Sequence, residues 1–155
     1  MNILFSIENR PHEHAGGRYH GLMHACCLAE AGHSVTFCTN VLPRFYDDVI
    51  QWFDLNEDNW EVWLCSDYGF KVYERGTRGQ IEYDLFIGFP TLGGDAAAWF
   101  GEFTGKPAIS VILESPLWVS RVYDKEMANT HEWRNWTTYH KCFTKGAYCL
   151  NTTHE

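Results

Sequence analysis

The sequence lacks the features that mark membrane, secreted and nucleic-acid-binding proteins. No apolar run approaches the roughly twenty residues that span a bilayer, and no basic segment with a following apolar core opens the chain. The 12 basic residues are outnumbered by 20 acidic ones, and the formal net charge of -8 argues against a nucleic-acid partner. These absences predict a soluble, cytoplasmic chain with no transmembrane segment that binds no nucleic acid.

Paired cysteine and zinc motifs are also missing. The six cysteines form no C-x-x-C pair and several fall in predicted strands or on a helix face, which predicts reduced core thiols. A metal hypothesis arises from His12, Glu13 and His14 in one loop, and from His20 and His24 one helical turn apart. Because neither structural-zinc spacing nor H-E-x-x-H occurs, we predict no metal and no cofactor. Exposed histidines, or side chains that reach a sugar hydroxyl or phosphate, fit this pattern better.

The first forty residues predict a βαβ unit. Residues 2–7 are a short apolar run typical of a strand buried on both faces. Apolar residues then recur at helical spacing over 18–31, Gly32 follows as a stop, and 34–39 is a β-branched and aromatic run. Such a unit is right-handed and binds ligands where strand carboxyl ends meet helix amino ends.

The loop of this unit ends in the pair Gly16-Gly17, directly before the predicted helix. Glycines let the backbone approach a bound group closely, and a helix start offers free N–H groups and a positive dipole end to an anion such as phosphate. Arg18 adds a positive charge. The dinucleotide fingerprint G-x-G-x-x-G is absent. The pair therefore predicts either a phosphate or sugar site or only a turn.

The rest of the chain continues the alternation of strands and helices. Four further apolar runs have the length of strands: residues 61–65, 83–90, 108–114 and 147–151. Helical spacing occurs within 41–53, within 96–103 with Asp95 as a plausible N-cap, and irregularly within 115–146. Tyr68 and Gly69 fall in a predicted polar loop, and residues 71–80 predict a loop or a frayed helix.

The whole pattern predicts an α/β fold: a single Rossmann-like, three-layer domain over residues 1–155 with a mostly parallel central sheet of about six strands. Glu114 ends the fifth predicted strand, at the sheet edge where such folds bind ligands. It is therefore a candidate ligand-binding residue, although a carboxylate that caps the next turn fits equally well, and Glu8 after the first strand has the same two interpretations.

An ordered set of motifs extends over nearly the whole chain. It comprises residues 2–5, Gly16-Gly17-Arg18, L-A-E-A-G-H-x-V-T at 28–36, residues 83–87, Lys106-Pro107 and a last strand that ends in Asn151-Thr152-Thr153. In this order the motifs resemble the N-terminal half of GT-B glycosyltransferases, particularly those of the family 4 type. The stretch at 28–36 after a Gly-Gly loop is the most specific of them.

The resemblance implies transfer of a sugar from a nucleotide-sugar donor to a sugar, lipid or small-molecule acceptor, in a cleft between two Rossmann-like domains. The N-terminal domain mainly receives the acceptor, and its Gly-Gly loop lies against the donor phosphates or the transferred sugar. The substrate-binding residues carried over or inferred in this way are Gly16, Gly17, Arg18, His14, Glu8 and Thr152. Many relatives have a histidine after the fifth strand; here the matching residues are Leu113-Glu114-Ser115, so Glu114 is the candidate catalytic residue and the histidine is missing.

The nucleotide-binding half of such enzymes is not among these residues, so we expect the chain alone to be inactive without a C-terminal domain or partner chain. The sequence ends directly after its last predicted strand, without the covering helix that normally follows, and this is expected for a fragment of a larger protein. Two alternatives stay open. One is a stand-alone sugar- or nucleotide-binding module without catalysis; the other is a small Rossmann or flavodoxin-like protein with a phosphate cofactor, which the absent glycine fingerprint disfavours.

Overall fold

A computed structural model describes residues 1–9, 16–66, 68–89, 92–112 and 148–151. Within these ranges, strands and helices alternate along the chain. They are β1 (Asn2–Ser6), α1 (Gly16–Glu30), β2 (Ser34–Thr39), α2 (Tyr46–Ile50), β3 (Trp60–Leu64), α3 (Tyr68–Arg78), β4 (Leu85–Gly88), α4 (Leu92–Thr104), β5 (Ala108–Ile112) and β6 (Tyr148–Asn151). No helix in the described ranges is long and apolar enough to cross a membrane.

The six strands form one parallel sheet in the order β3-β2-β1-β4-β5-β6. Phe5 of β1 is opposite Phe37 of β2 on one side and Ile87 of β4 on the other. This is the strand order of the doubly wound Rossmann fold, and it confirms the predicted α/β class. The order reverses between β1 and β4, so the crevice outside their carboxyl ends is the place where such folds bind ligands.

Side chains of the strands alternate between two buried clusters, one on each face of the sheet. Ile3 and Phe5 pack in the cluster that contains Leu22 of α1. Leu4, between them in the sequence, packs in the cluster that contains Val72 of α3 and residues of α4. Because both faces are covered by helices, the strands read as continuous apolar runs, and the arrangement has three layers.

Helix α3 corrects the prediction of a loop or frayed helix at 71–80 and of a polar loop at Tyr68 and Gly69. Residues 68–78 of these stretches form one helix of 11 residues, and residues 79 and 80 follow it. Its apolar signal is weak because only a narrow face is buried: Val72 is fully buried, and a Cβ added at Gly76 would lie 3.2 Å from side-chain atoms of both Leu4 and Phe86. Close approach of the helix backbone to the sheet replaces the bulky side chains that a helical period requires.

The helix ends confirm one prediction and correct another. Gly32 (φ +86°) follows α1 in the left-handed region and ends it as predicted, and Gly105 (φ +67°) follows α4 in the same way. The helix starts lie earlier than predicted, at Gly16 for α1 and Leu92 for α4. Asp95 is therefore inside the first turn of α4, and the prediction that it is the N-cap was wrong.

Candidate functional site

The crevice at the switch point is flanked by the starts of two helices, and each start contains its own glycine pair. Gly16-Gly17 opens α1, after β1, and Gly93-Gly94 lies in the first turn of α4, after β4. The strands themselves are neighbours, and the Phe89 N–H after β4 donates to the Ser6 carbonyl of β1 at 2.7 Å. Two positive helix ends therefore follow adjacent strands at one edge of the sheet.

Short hydrogen bonds hold both helix starts against the strand ends. The Nε of Arg18, in the first turn of α1, donates to the Glu8 carbonyl beyond β1 at 2.8 Å. The Gly94 N–H donates to the Phe89 carbonyl at 3.1 Å, and the buried Ser110 hydroxyl of β5 donates to the Gly94 carbonyl at 2.7 Å. The two helix starts are thus fixed by the polypeptide itself, which is the preorganisation that anion binding at a helix terminus needs.

Gly21 allows α1 to pack closely against the end of β1. A Cβ added at Gly21 would lie 2.6 Å from Cδ1 of Ile7 and 3.3 Å from the ring of Phe89. A side chain at this position would force Cδ1 of Ile7 or the first turns of α1 to move. Sequence reasoning missed Gly21. The available signal was a third glycine, four residues after Gly17, on the buried face of the helix.

Asn9 joins the carboxyl ends of β1 and β2. Its N–H donates to Oδ1 of Asn40 at 2.7 Å, and Nδ2 of Asn40 donates back to the Asn9 carbonyl at 2.7 Å. Nδ2 of Asn9 also donates to Oγ1 of Thr39 at 2.9 Å and to the Val41 carbonyl at 3.3 Å. Sequence reasoning missed this clasp, although an Asn three residues after β1 and another directly after β2 were visible.

The Asn9 side chain also contains an unsatisfied acceptor. Asn9 is 2% exposed, and its Oδ1 is buried with no hydrogen-bond partner in the part of the chain that the structure describes. A buried acceptor without a partner costs roughly 1–3 kcal/mol. Such groups are rare in native folds and are concentrated at functional sites, so this oxygen marks the carboxyl edge of the sheet as a place where an additional donor would be stabilised.

The predicted site residues are partly brought together. Gly16, Gly17 and Arg18 form the first turn of α1, and the hydrogen bond of Arg18 places Glu8 beside that turn. The other three, His14, Glu114 and Thr152, lie outside the described residues. The binding roles of all six stay predictions, as does the catalytic role of Glu114.

The helical histidine pair lies on the surface of α1. His20 and His24 are both exposed, with ring centroids 6.4 Å apart. Among the described residues, no group of three or more His, Cys, Asp or Glu side chains is arranged to hold a metal ion. His12, Glu13 and His14 lie outside those residues.

The thiols described by the structure are free, as predicted. Cys26, Cys38 and Cys65 are buried, and Cys27 is exposed on α1. Burial raises the pKa of Cys26 to about 12. Burial likewise raises the pKa of Cys38 well above its ordinary value. These two thiols are therefore protonated core side chains rather than nucleophiles.

No protein-family model matches this sequence, and no curated protein matches it significantly. The α/β Rossmann-like class therefore stands on the strand order and on the two helix-covered faces of the sheet. Because this class supports many chemistries, function has to be argued from the crevice itself.

Proposed function

We propose that this chain is the N-terminal, acceptor-side domain of a GT-B glycosyltransferase that transfers a sugar from a nucleotide-sugar donor to an acceptor. One observation carries the proposal: the strand order reverses between β1 and β4, and both strands are followed by helices that start with a glycine pair. This geometry supports binding of a phosphate or sugar at the helix starts, as the sequence resemblance implies.

The polar groups of the crevice suit a polyhydroxylated ligand. Main-chain amides at the glycine-rich starts of α1 and α4 are donors for phosphate or sugar oxygens, except that of Gly94, which donates to the Phe89 carbonyl. A sugar hydroxyl is both donor and acceptor, so its oxygen can accept from these amides. The unsatisfied Oδ1 of Asn9, at the same edge of the sheet, is closed to solvent and is not counted among the ligand contacts.

The proposal places the stabilisation of the leaving nucleoside diphosphate outside the described residues. That leaving group develops negative charge, which preorganised positive groups must stabilise. Arg18 is the basic residue at the described helix starts, and its Nε is already engaged by the Glu8 carbonyl. We therefore assign donor activation to a second domain or a partner chain, and expect residues 1–155 alone to transfer no sugar.

Isothermal titration calorimetry of residues 1–155 with UDP, GDP and their sugars tests this division of roles. Weak or undetectable binding is expected, because the nucleotide contacts belong to the other half. Tight nucleotide-sugar binding by this chain alone would favour the stand-alone binding module instead. Sugar transfer catalysed by the purified chain would contradict the proposal.

The glycine pair is tested in the complete gene product, with donor hydrolysis and transfer measured by release of UDP or GDP. Gly17→Val should lower transfer strongly, because a branched side chain blocks close approach to the main-chain amides. His20→Val is the matched control, since it places the same side chain one turn further along α1 at an exposed position. Equal transfer rates in both variants, with unchanged thermal midpoints, would remove the α1 start from the site.

A further inference from the structure

A closed ring of polar side chains lies beside the edge strand β3. Arg75 of α3 donates from Nε to the Tyr83 hydroxyl at 2.8 Å and from Nη2 to both oxygens of Glu61, at distances of 2.6 and 2.7 Å. The Tyr83 hydroxyl donates to Oγ1 of Thr36 at 3.2 Å, and Thr36 donates to Glu61 at 2.8 Å. Arg75 also lies over the ring of Trp63, 4.5 Å from its centroid. The guanidinium of Arg75 is therefore held in place by its hydrogen bonds to Tyr83 and Glu61 and by its contact with the Trp63 ring.

The fixed Arg75 retains donor capacity. Burial disfavours its charge, but the hydrogen bonds to Tyr83 and Glu61 outweigh this, and the pKa of Arg75 is raised. Its side chain is 18% exposed. Nη1, which has two N–H donors, donates to no residue in the described part of the chain. The ring thus presents a permanently charged donor that loses little conformational entropy when it binds a ligand.

A cavity of about 490 Å³ lies over this arginine. Its lining includes Lys71 and Arg78 of α3, one turn on either side of Arg75. The side chains of Trp63 and Ile81 also line it. This volume is large enough for a small molecule, and the space is open to solvent on one side. The strand order separates the cavity from the switch-point crevice by β2 and β1.

The charge balance of the cavity is positive in a chain whose net charge is -8. Glu61 pairs with Arg75, and Glu74 pairs with Lys71 at 3.3 Å. The pair of Lys71 and Glu74 is about half exposed on both sides, so it is weak and easily exchanged for another anion. No acidic residue in the described ranges pairs with Arg78. Among the described residues, three cations against two carboxylates leave one uncompensated positive charge.

We propose that this cavity between α3 and β3 binds a small ligand with a phosphate or carboxylate group and an apolar body. The oxyanion contacts Arg78, Lys71 and Nη1 of Arg75, and the body lies against Trp63 and Ile81. The site is independent of the transferase proposal, because it uses none of the residues at the switch point. Its oxyanion comes either from a free metabolite or from a lipid headgroup.

Calorimetry with inorganic phosphate and with phenyl phosphate tests the site, and ¹⁵N shift mapping locates it. Saturable binding is expected that weakens as ionic strength rises. The double variant Lys71→Gln/Arg78→Gln should lose roughly tenfold or more in affinity, as for removal of charged hydrogen bonds. Arg44→Gln removes one positive charge from an exposed position near α2 and is the control for the single variants Lys71→Gln and Arg78→Gln. It should change affinity less than about twofold, and less than either of them.

The outcomes separate the sources and can overturn the proposal. If phenyl phosphate binds more tightly than phosphate, the result supports a free ligand with an apolar body. Equal affinities would refute the proposal that the ligand has an apolar body. The alternative result is that the protein binds only to vesicles that contain phosphatidylglycerol and not to phosphatidylcholine vesicles. If the double variant abolishes that vesicle binding, the oxyanion is assigned to a lipid headgroup. Three results would overturn the site: binding that Arg44→Gln weakens as much as Lys71→Gln or Arg78→Gln does, shifts confined to the start of α1, or no saturable binding to phosphate, phenyl phosphate or anionic vesicles.

Discussion

Removal of the Tyr83 hydroxyl tests whether the ring around Arg75 stabilises the fold. Tyr83 is 2% exposed and connects the segment before β4 to both α3 and β2. Tyr83→Phe deletes one hydrogen bond from a charged group and one between hydroxyls, and leaves Nε of Arg75 without its partner. Summing about 1.5–3 kcal/mol for the first and about 1 kcal/mol for the second, with partial replacement by water at Arg75, predicts a loss of roughly 2–4 kcal/mol.

Tyr46→Phe is the matched control on the opposite face of the sheet. The Tyr46 hydroxyl accepts one neutral hydrogen bond, from Nε1 of Trp60 at 3.0 Å, so its loss predicts about 1 kcal/mol. Both variants are compared by urea unfolding, with unchanged slopes as the condition for the comparison. In the double variant with Thr36→Val, Tyr83→Phe should cost less than it does alone, because the two hydroxyls share a bond. A cost for Tyr83→Phe no larger than that for Tyr46→Phe would refute the reasoning.

Two further predictions concern α1. Gly21→Ala should destabilise the fold by about 1–2 kcal/mol, although Ala has the better helix propensity. Adding Ile7→Val deletes the Cδ1 atom 2.6 Å from the new Cβ and should recover stability in urea unfolding. Additive losses would contradict the close approach of α1 to Ile7. Iodoacetamide at pH 8 should label exposed Cys27 at least about tenfold faster than buried Cys26, whose raised pKa of about 12 leaves little thiolate at that pH. Peptide mass spectrometry measures both rates, and equal labelling in the folded protein would show that Cys26 is not buried.

Much of the fold was predictable because local signals agreed with the tertiary arrangement. The β-branched and aromatic run at 34–39 is β2 with the same bounds, and Gly32 ends α1 because its positive φ is incompatible with helix continuation. The strands of a sheet covered on both faces are mostly apolar, so their sequences are conspicuous. Helix α3 was missed because its short apolar face packs through Gly76 rather than through large side chains.

The candidate site was predictable only in part. The glycine pair before α1 and Arg18 were visible because each is a local signal, and the structure places them at the carboxyl edge of β1. The clasp of Asn9 and Asn40 joins residues 31 positions apart. No local pattern in the sequence indicates which two polar residues will meet, because the meeting depends on the pairing of β1 with β2.

The amino-acid sequence by itself determined the class of the protein: alternating apolar runs and helical periods specify a parallel sheet between helices, since each such element must bury its apolar surface. Only the tertiary structure decided the order of the strands, and with it the position of the crevice between β1 and β4 and of the cavity beside β3. The physical reason is that both places are formed by groups distant in sequence, such as Glu61, Arg75 and Tyr83, whose charges and hydrogen bonds act only after the sheet has brought them within reach.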